Sequence, residues 1–159
     1  MEHTPFGDTP RSRCHFYRRV CDLPAVIDPP ELGRIIMRSS HVGALTMPAP
    51  LGRAVRDVLR RRRDALGPIL AHPRSNRWTY LIRPDLPEDT KLFAELFRIN
   101  VSIVGEGGTV ALPSPTAESG AVRHWIEAPR DRFRPSGLLV VDCIRACGGP
   151  GRRWAVTHV

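Results

Sequence analysis

The sequence predicts an α+β fold, an antiparallel or mixed sheet of about six to seven strands with two main helices packed on one face. Three observations lead there. Short apolar runs bounded by proline and glycine alternate with the period of a strand, while two longer stretches repeat with the period of a helix. Their order along the chain is ββ-α-ββ-α-ββ-β, which suits helices laid on a sheet and not a parallel doubly wound fold. The 159 residues are 42% hydrophobic and 25% charged, enough for one hydrophobic core and too polar for a lipid-embedded chain.

Thr9-Pro10 has the form of a cap and first turn, so a first helix is expected through Phe16, Tyr17 and Val20. Pro24 and Pro29-Pro30 then force an irregular connection, and residues 1–32 read as a lead-in to a domain at 33–147. GRIIMRSSHVGALTM (33–47) reads as two strands folded into a hairpin near Ser39-Ser40. Leu51, Val55, Val58, Leu59 and Leu66 recur at helical spacing, with Arg53, Arg56, Arg60, Arg61 and Arg63 on the polar side.

Gly67-Pro68 breaks this helix, and ILAHPRSNRWTYLIR (69–83) reads as a second hairpin with Trp78, Tyr80 and Ile82 on one face. Asp85-Leu86-Pro87-Glu88 has the pattern of a capping box, followed by an apolar stripe of Leu92, Phe93, Leu96 and Phe97 and an outer Lys91–Glu95 pair. Residues 100–104 and 109–112, joined by Glu106-Gly107-Gly108, predict a third hairpin. HWIEAP (124–129) predicts one more strand. LLVVDCIRA (138–146) fits either a strand or a buried helix, and a strand is the preferred reading. The tail 148–159 is expected to be mobile unless Trp154 anchors it.

The net charge is +8, and Lys91 is the only lysine, so the basicity is almost wholly arginine. Arginine donates two parallel hydrogen bonds to phosphate oxygens, which makes nucleic acid or nucleotide the expected partner class. The start MEHTPFGDTPRSR holds no apolar signal core, so a cytoplasmic setting with reduced cysteines is expected.

Several chemistries lack their motif. Cys14 with Cys21 and Cys143 with Cys147 are too widely spaced for a zinc knuckle even with His15 or His124 nearby, so no metal and no cofactor is expected. Neither a Gly-x-x-x-x-Gly-Lys-Ser/Thr loop nor a Gly-x-Gly-x-x-Gly turn is present. Cys14 and His15 are neighbours on a helix and point different ways, which argues against a thiol nucleophile and its base. The Arg60–Arg63 run reads first as a solvated helix face. HPRSNRWTY is more informative: a turn bearing Arg74, Ser75 and Arg77 at the mouth of an aromatic strand is a good anion cradle. Arg98 and Arg123 are secondary candidates. Trp78 and Tyr80 are read first as core rings, with base stacking as the functional alternative.

Residues 51–129 resemble the back half of the bifunctional DNA primase/polymerase (prim-pol) domain, a branch of the archaeo-eukaryotic primase superfamily. HPRSNRWTYLIRPD (72–85) is similar to that family's turn and following apolar-aromatic strand. INVSIVGEGGTVALPSPTAESGAVRHWIEAP (99–129) is similar to its closing segment of aspartate strand, Gly-Gly hairpin, Pro-Pro-Ser turn and Gly-x-x-x-x-Trp strand. A closer likeness is to small actinobacterial proteins described as primase/polymerases. The resemblance implies two divalent metals held by paired carboxylates, yet no Asp or Glu occurs between Glu31 and Asp57, where the pair would stand. Trp78 occupies the place of the turn histidine and Asn100 that of the last aspartate, while His72 is a nearby substitute for the histidine.

The expectation is therefore a non-catalytic prim-pol-like protein that binds nucleic acid or nucleotide in replication or transcription. Two alternatives stand beside it: a protein-interaction module working through its sheet edge and proline-rich head, and an active polymerase using Asp85, Glu106 and Asp142.

Overall fold

The computed structural model describes residues 6–115 and 123–147, and the expected tail at 148–159 lies outside them. Among the described residues the chain forms α1 (Pro10–Arg19), β1 (Ala25–Ile27), β2 (Ile35–Arg38), β3 (Gly43–Pro48), α2 (Ala49–Arg61), β4 (Ile69–His72) and β5 (Arg77–Ile82). After these come α3 (Thr90–Arg98), β6 (Ser102–Val104), β7 (Thr109–Leu112), β8 (His124–Glu127) and α4 (Gly137–Cys147). The α+β class is as expected, and all paired strands are antiparallel. They divide into two sheets, one of order β1-β2-β7 and one of order β6-β3-β5-β4-β8.

This division corrects two of the three hairpins. β2 and β3 are consecutive but enter different sheets, and so do β6 and β7. Of the three, only β4 and β5 fold back on each other, in register from Ile69↔Tyr80 to His72↔Arg77, while β2 instead pairs back with β1. The last apolar run is also corrected, because LLVVDCIRA is the body of α4. Its Val140, Val141, Cys143 and Ile144 are buried while Asp142 and Arg145 face out, a helical and not an alternating pattern.

The five-stranded sheet has a core on each side. Leu45, Met47, Ile69, Trp78 and Tyr80 point to one face, where they pack with Leu51, Val55 and Leu59 of α2, Leu92 and Leu96 of α3, and α4. Ala44, Leu70 and Leu81 point to the other, where the three-stranded sheet and α1 cover them. The first helix is thus built into the molecule. Thr9 caps it as the sequence predicts, its Oγ1 accepting the Ser12 N–H at 3.1 Å. Buried Tyr17 donates its hydroxyl to the Pro113 carbonyl at 2.7 Å and accepts from Trp125 Nε1 at 3.0 Å, joining α1 to β7 and β8.

The third helix starts later than the capping-box pattern suggests. Asp89 is its N-cap, accepting from the Lys91 N–H at 2.9 Å, and Asp85 instead accepts from the Gly137 N–H at the start of α4. Only half of the predicted stripe is inward: Leu92 and Leu96 are buried, whereas Phe93 is 43% and Phe97 77% exposed. Glu95 pairs with Arg145 of α4 through two hydrogen bonds of 2.8 and 2.7 Å, in place of the expected Lys91 partner.

Candidate nucleic-acid interface

The β4–β5 connection is a tight turn, Pro73 to Asn76. Its Ser75 and Asn76 N–H groups return to the His72 and Pro73 carbonyls, each at 3.2 Å, and Ser75 Oγ donates to the His72 carbonyl at 3.3 Å. Asn76 closes the turn at φ 55°, a left-handed conformation that asparagine tolerates better than most residues. Its carbonyl accepts the first N–H of α2, that of Ala49, at 3.0 Å, so the turn is braced against the helix start. Arg74 and Ser75 are left exposed on it.

Register then gathers the charges. His72 pairs with Arg77, and Ala71 pairs with His124, which brings Arg123 alongside His72 on the face away from α2 and α4. Burial and then the positive charges of Arg123 and Arg77 hold the His72 imidazole below its ordinary pKa. Burial, Arg34 and Arg74 likewise press the Arg123 pKa down. Arg123 therefore links two sets of charges, acting with Arg77 on His72 and being acted on by Arg34 and Arg74. Arg34 immediately precedes β2 in a stretch the sequence offers no reason to choose, and only the packing of the small sheet on the large one brings it here.

Four candidates take different places. Arg77 is committed to the fold: its Nε donates to Thr46 Oγ1 at 2.8 Å on β3 and its Nη2 to the Asn100 carbonyl at 2.9 Å beyond α3. It contributes field to the patch and holds β5 to its neighbours. Arg98 ends α3, where its charge is felt at Glu95. Trp78 and Tyr80 are corrected as stacking platforms, being only 6% and 1% exposed. The Tyr80 hydroxyl donates to the Gly52 carbonyl at 2.7 Å, and Trp78 packs on α2 beneath the Arg53 guanidinium, 5.6 Å from the ring centre.

Among the described residues the sheet face around His72 is polar without being acidic. His72 Nε2 lies 2.8 Å from Thr79 Oγ1, and Thr79 stands opposite Thr46, itself opposite Ser102 on β6. The three acids offered for catalysis do not gather there: Asp85 binds the start of α4, Asp142 pairs with Arg62 at 2.8 Å, and Glu106 lies in the β6–β7 turn. Among the described residues no group of three or more His, Cys, Asp or Glu side chains is placed to hold a metal ion. All four cysteines are buried thiols. Burial pushes the Cys21 thiol up to about 12, far from a reactive thiolate.

Three arginines of α2 and its C-cap are paired. Arg56 and Arg60 both reach Glu127 of β8, and Arg62 reaches Asp142, so these charges tie α2 to its neighbours. No helix among the described residues is long and apolar enough to cross a membrane. Comparison with family models, curated proteins and solved structures gives no match for this chain.

Proposed function

We propose that this protein binds nucleic acid or a nucleotide through phosphate contacts at the β4–β5 turn and does not turn it over. One observation carries the reading: strand register sets Arg77 and Arg123 beside His72, and Arg34 and Arg74 stand near enough to Arg123 to add, after its burial, to the lowering of its pKa. A cluster of like charges opposes folding locally, and a polyanion is the partner that relieves it. Arg74, Ser75, Arg123 and Arg34 make the contacts, while Arg77 adds field. That no carboxylate among the described residues is placed on this face, together with the resemblance of residues 51–129 to the prim-pol domain, favours a non-catalytic member of that kind over an active polymerase. Replication or transcription is the setting that the resemblance suggests.

The test is a fluorescence-anisotropy titration with single- and double-stranded oligonucleotides at two salt concentrations. Affinity is expected to fall steeply with salt and not to require magnesium. Arg74→Ala combined with Arg123→Ala is expected to weaken binding at least about tenfold, since hydrogen bonds to charged groups contribute about 1.5–3 kcal/mol each. An unchanged titration in that variant removes the site.

A second reading, protein recognition, is favoured by the groove between Phe93, Phe97 and edge strand β6, about 180 Å³ and floored by Leu96, Val101 and Ile103. It separates from the first by salt: binding of a protein there is insensitive to ionic strength and is lost in Phe97→Ala, with no oligonucleotide binding in either form.

A further inference from the structure

We propose that α1 carries a second phosphate-binding site, a cleft of about 370 Å³ in which Arg11, His15, Arg18 and Arg19 stand over Val26 and Ile27 of β1. The site uses no residue of the β4–β5 turn, so it stands or falls separately from the reading above.

Helical spacing builds it. Positions 11, 15, 18 and 19 lie on one side of α1, while Phe16 and Tyr17 lie on the other and are buried in the second core. The Tyr17 bonds to Pro113 and Trp125 fix the helix, so its outer face is presented rigidly. The formal charges on that outer face are all arginines, with His15 and the buried Cys14 between them. The helix PRSRCHFYRR contains no acidic residue, and among the described residues no acid lines the cleft and no ion pair involves Arg11, Arg18 or Arg19. On α2 the charges are divided: Arg56, Arg60 and, at the C-cap, Arg62 have carboxylate partners, whereas Arg53 and Arg61 have no ion pair among the described residues.

The placement of Arg11 is the second observation. It sits in the first turn, where the helix dipole is already positive and an acid is favoured, yet no acid is there. Arg18 and Arg19 complement the opposite end of the dipole, but Arg11 opposes it. A bound phosphate at the cleft is favoured by Arg11 and by the flanking cations. The exposed Val26 side chain gives the cleft an apolar wall, and its volume suits a phosphate with one attached sugar or ring. The phosphate has two sources, a free phosphorylated small molecule or the backbone of a nucleic acid already held at the β4–β5 turn. In the second case α1 lengthens the footprint, because β1 lies beside β2, and the Asp28 N–H at the end of β1 donates to the Arg34 carbonyl at 2.8 Å.

Histidine NMR separates the sites, since His15 reports on the α1 cleft and His72 on the β4–β5 turn. The full chain is titrated at fixed pH and low salt with pyrophosphate, adenosine monophosphate, and oligonucleotides of four and twelve nucleotides. A saturable shift of His15 with pyrophosphate or the mononucleotide establishes the cleft with a free phosphate as its ligand. A shift of His15 only with the twelve-nucleotide strand establishes it with a backbone phosphate. Arg11→Ala with Arg18→Ala, both exposed positions, is expected to weaken the His15 response at least tenfold while leaving any His72 response intact. No His15 shift with any probe overturns the proposal, and so does a shift that survives in the double variant. Loss of the His72 response alone overturns the reading of the turn and leaves the cleft standing.

Discussion

Asp85 caps a helix that begins 52 residues later: its Oδ1 accepts the Gly137 N–H at 2.8 Å, the first N–H of α4. The same oxygen accepts from the Leu138 N–H at 3.3 Å, and Oδ2 accepts from Ser136 Oγ at 2.5 Å. Two segments are clamped by this carboxylate, since the Arg83 N–H also donates to the Pro135 carbonyl at 2.9 Å. A carboxylate at a helix N-terminus satisfies donors that the helix itself leaves open and complements its dipole. Asp85→Ala is expected to destabilise the fold by about 1–2 kcal/mol, the usual cost of losing a cap. Urea denaturation checks it, and a midpoint unchanged from the parent removes the cap as a source of stability.

Gly52 on α2 predicts a result opposite to its helix propensity. Glycine to alanine inside a helix ordinarily gains about 1 kcal/mol. Here a Cβ would stand 2.8 Å from Trp78 Cε3 and 2.9 Å from its Cβ, in a packed core where the ring has little room to retreat. Overpacking of this kind costs about 1–3 kcal/mol, so Gly52→Ala is expected to destabilise. A shifted tryptophan emission spectrum with a lower denaturation midpoint is the expected signature, and a stabilised variant would contradict the contact.

Leu96 and Phe97 are adjacent and were indistinguishable as members of one apolar stripe. The fold separates them, because α3 turns Leu96 into the core at 1% exposure and leaves Phe97 at 77%. Leu96→Ala is expected to cost about 2–5 kcal/mol through the cavity it leaves. Phe97→Ala should fall within about 0.5 kcal/mol of the parent, as surface substitutions do. Equal losses in denaturant titrations of the two would mean that α3 is rotated from this placement.

How far the sequence carried these conclusions depends on whether the deciding contact was local. The Thr9 cap, the periodicity of α2 and the β4–β5 hairpin are set by residues within a few positions of one another, and all three were legible. Asp85 was misread because a carboxylate followed three residues on by Glu88 has the same pattern whether it caps the next helix or one 52 residues away. The stretch at 138–146 is apolar enough for either period, and its packing with α2 in the first core, distant in sequence, is what the helix serves. The site divides in the same way. Arg74 and Ser75 are displayed by a local turn and could be chosen from the chain, whereas the approach of Arg34 and Arg123 depends on strand pairing and sheet packing. Arg77 looked equally free in sequence, and only its bonds to Thr46 and Asn100 reveal its structural part.

His72 gives the patch a measurable electrostatic signature. Burial, then Arg123 and Arg77, lower its pKa from the ordinary 6.5, so the folded chain keeps the imidazole neutral where the unfolded chain takes up a proton. Protons therefore favour the unfolded state. The stability associated with neutral His72 is fully present above pH 6.5 and declines as pH falls from there toward the lower folded value. Arg123→Ala removes the stronger of the two charges and is expected to raise the His72 pKa and shrink that decline. A bound oligonucleotide should raise it as well, by neutralising the same field. NMR titration of the His72 ring protons measures all three states. A midpoint that stays put in Arg123→Ala would separate the two residues and dissolve the patch, and a midpoint unmoved by a bound oligonucleotide would place that ligand elsewhere on the surface.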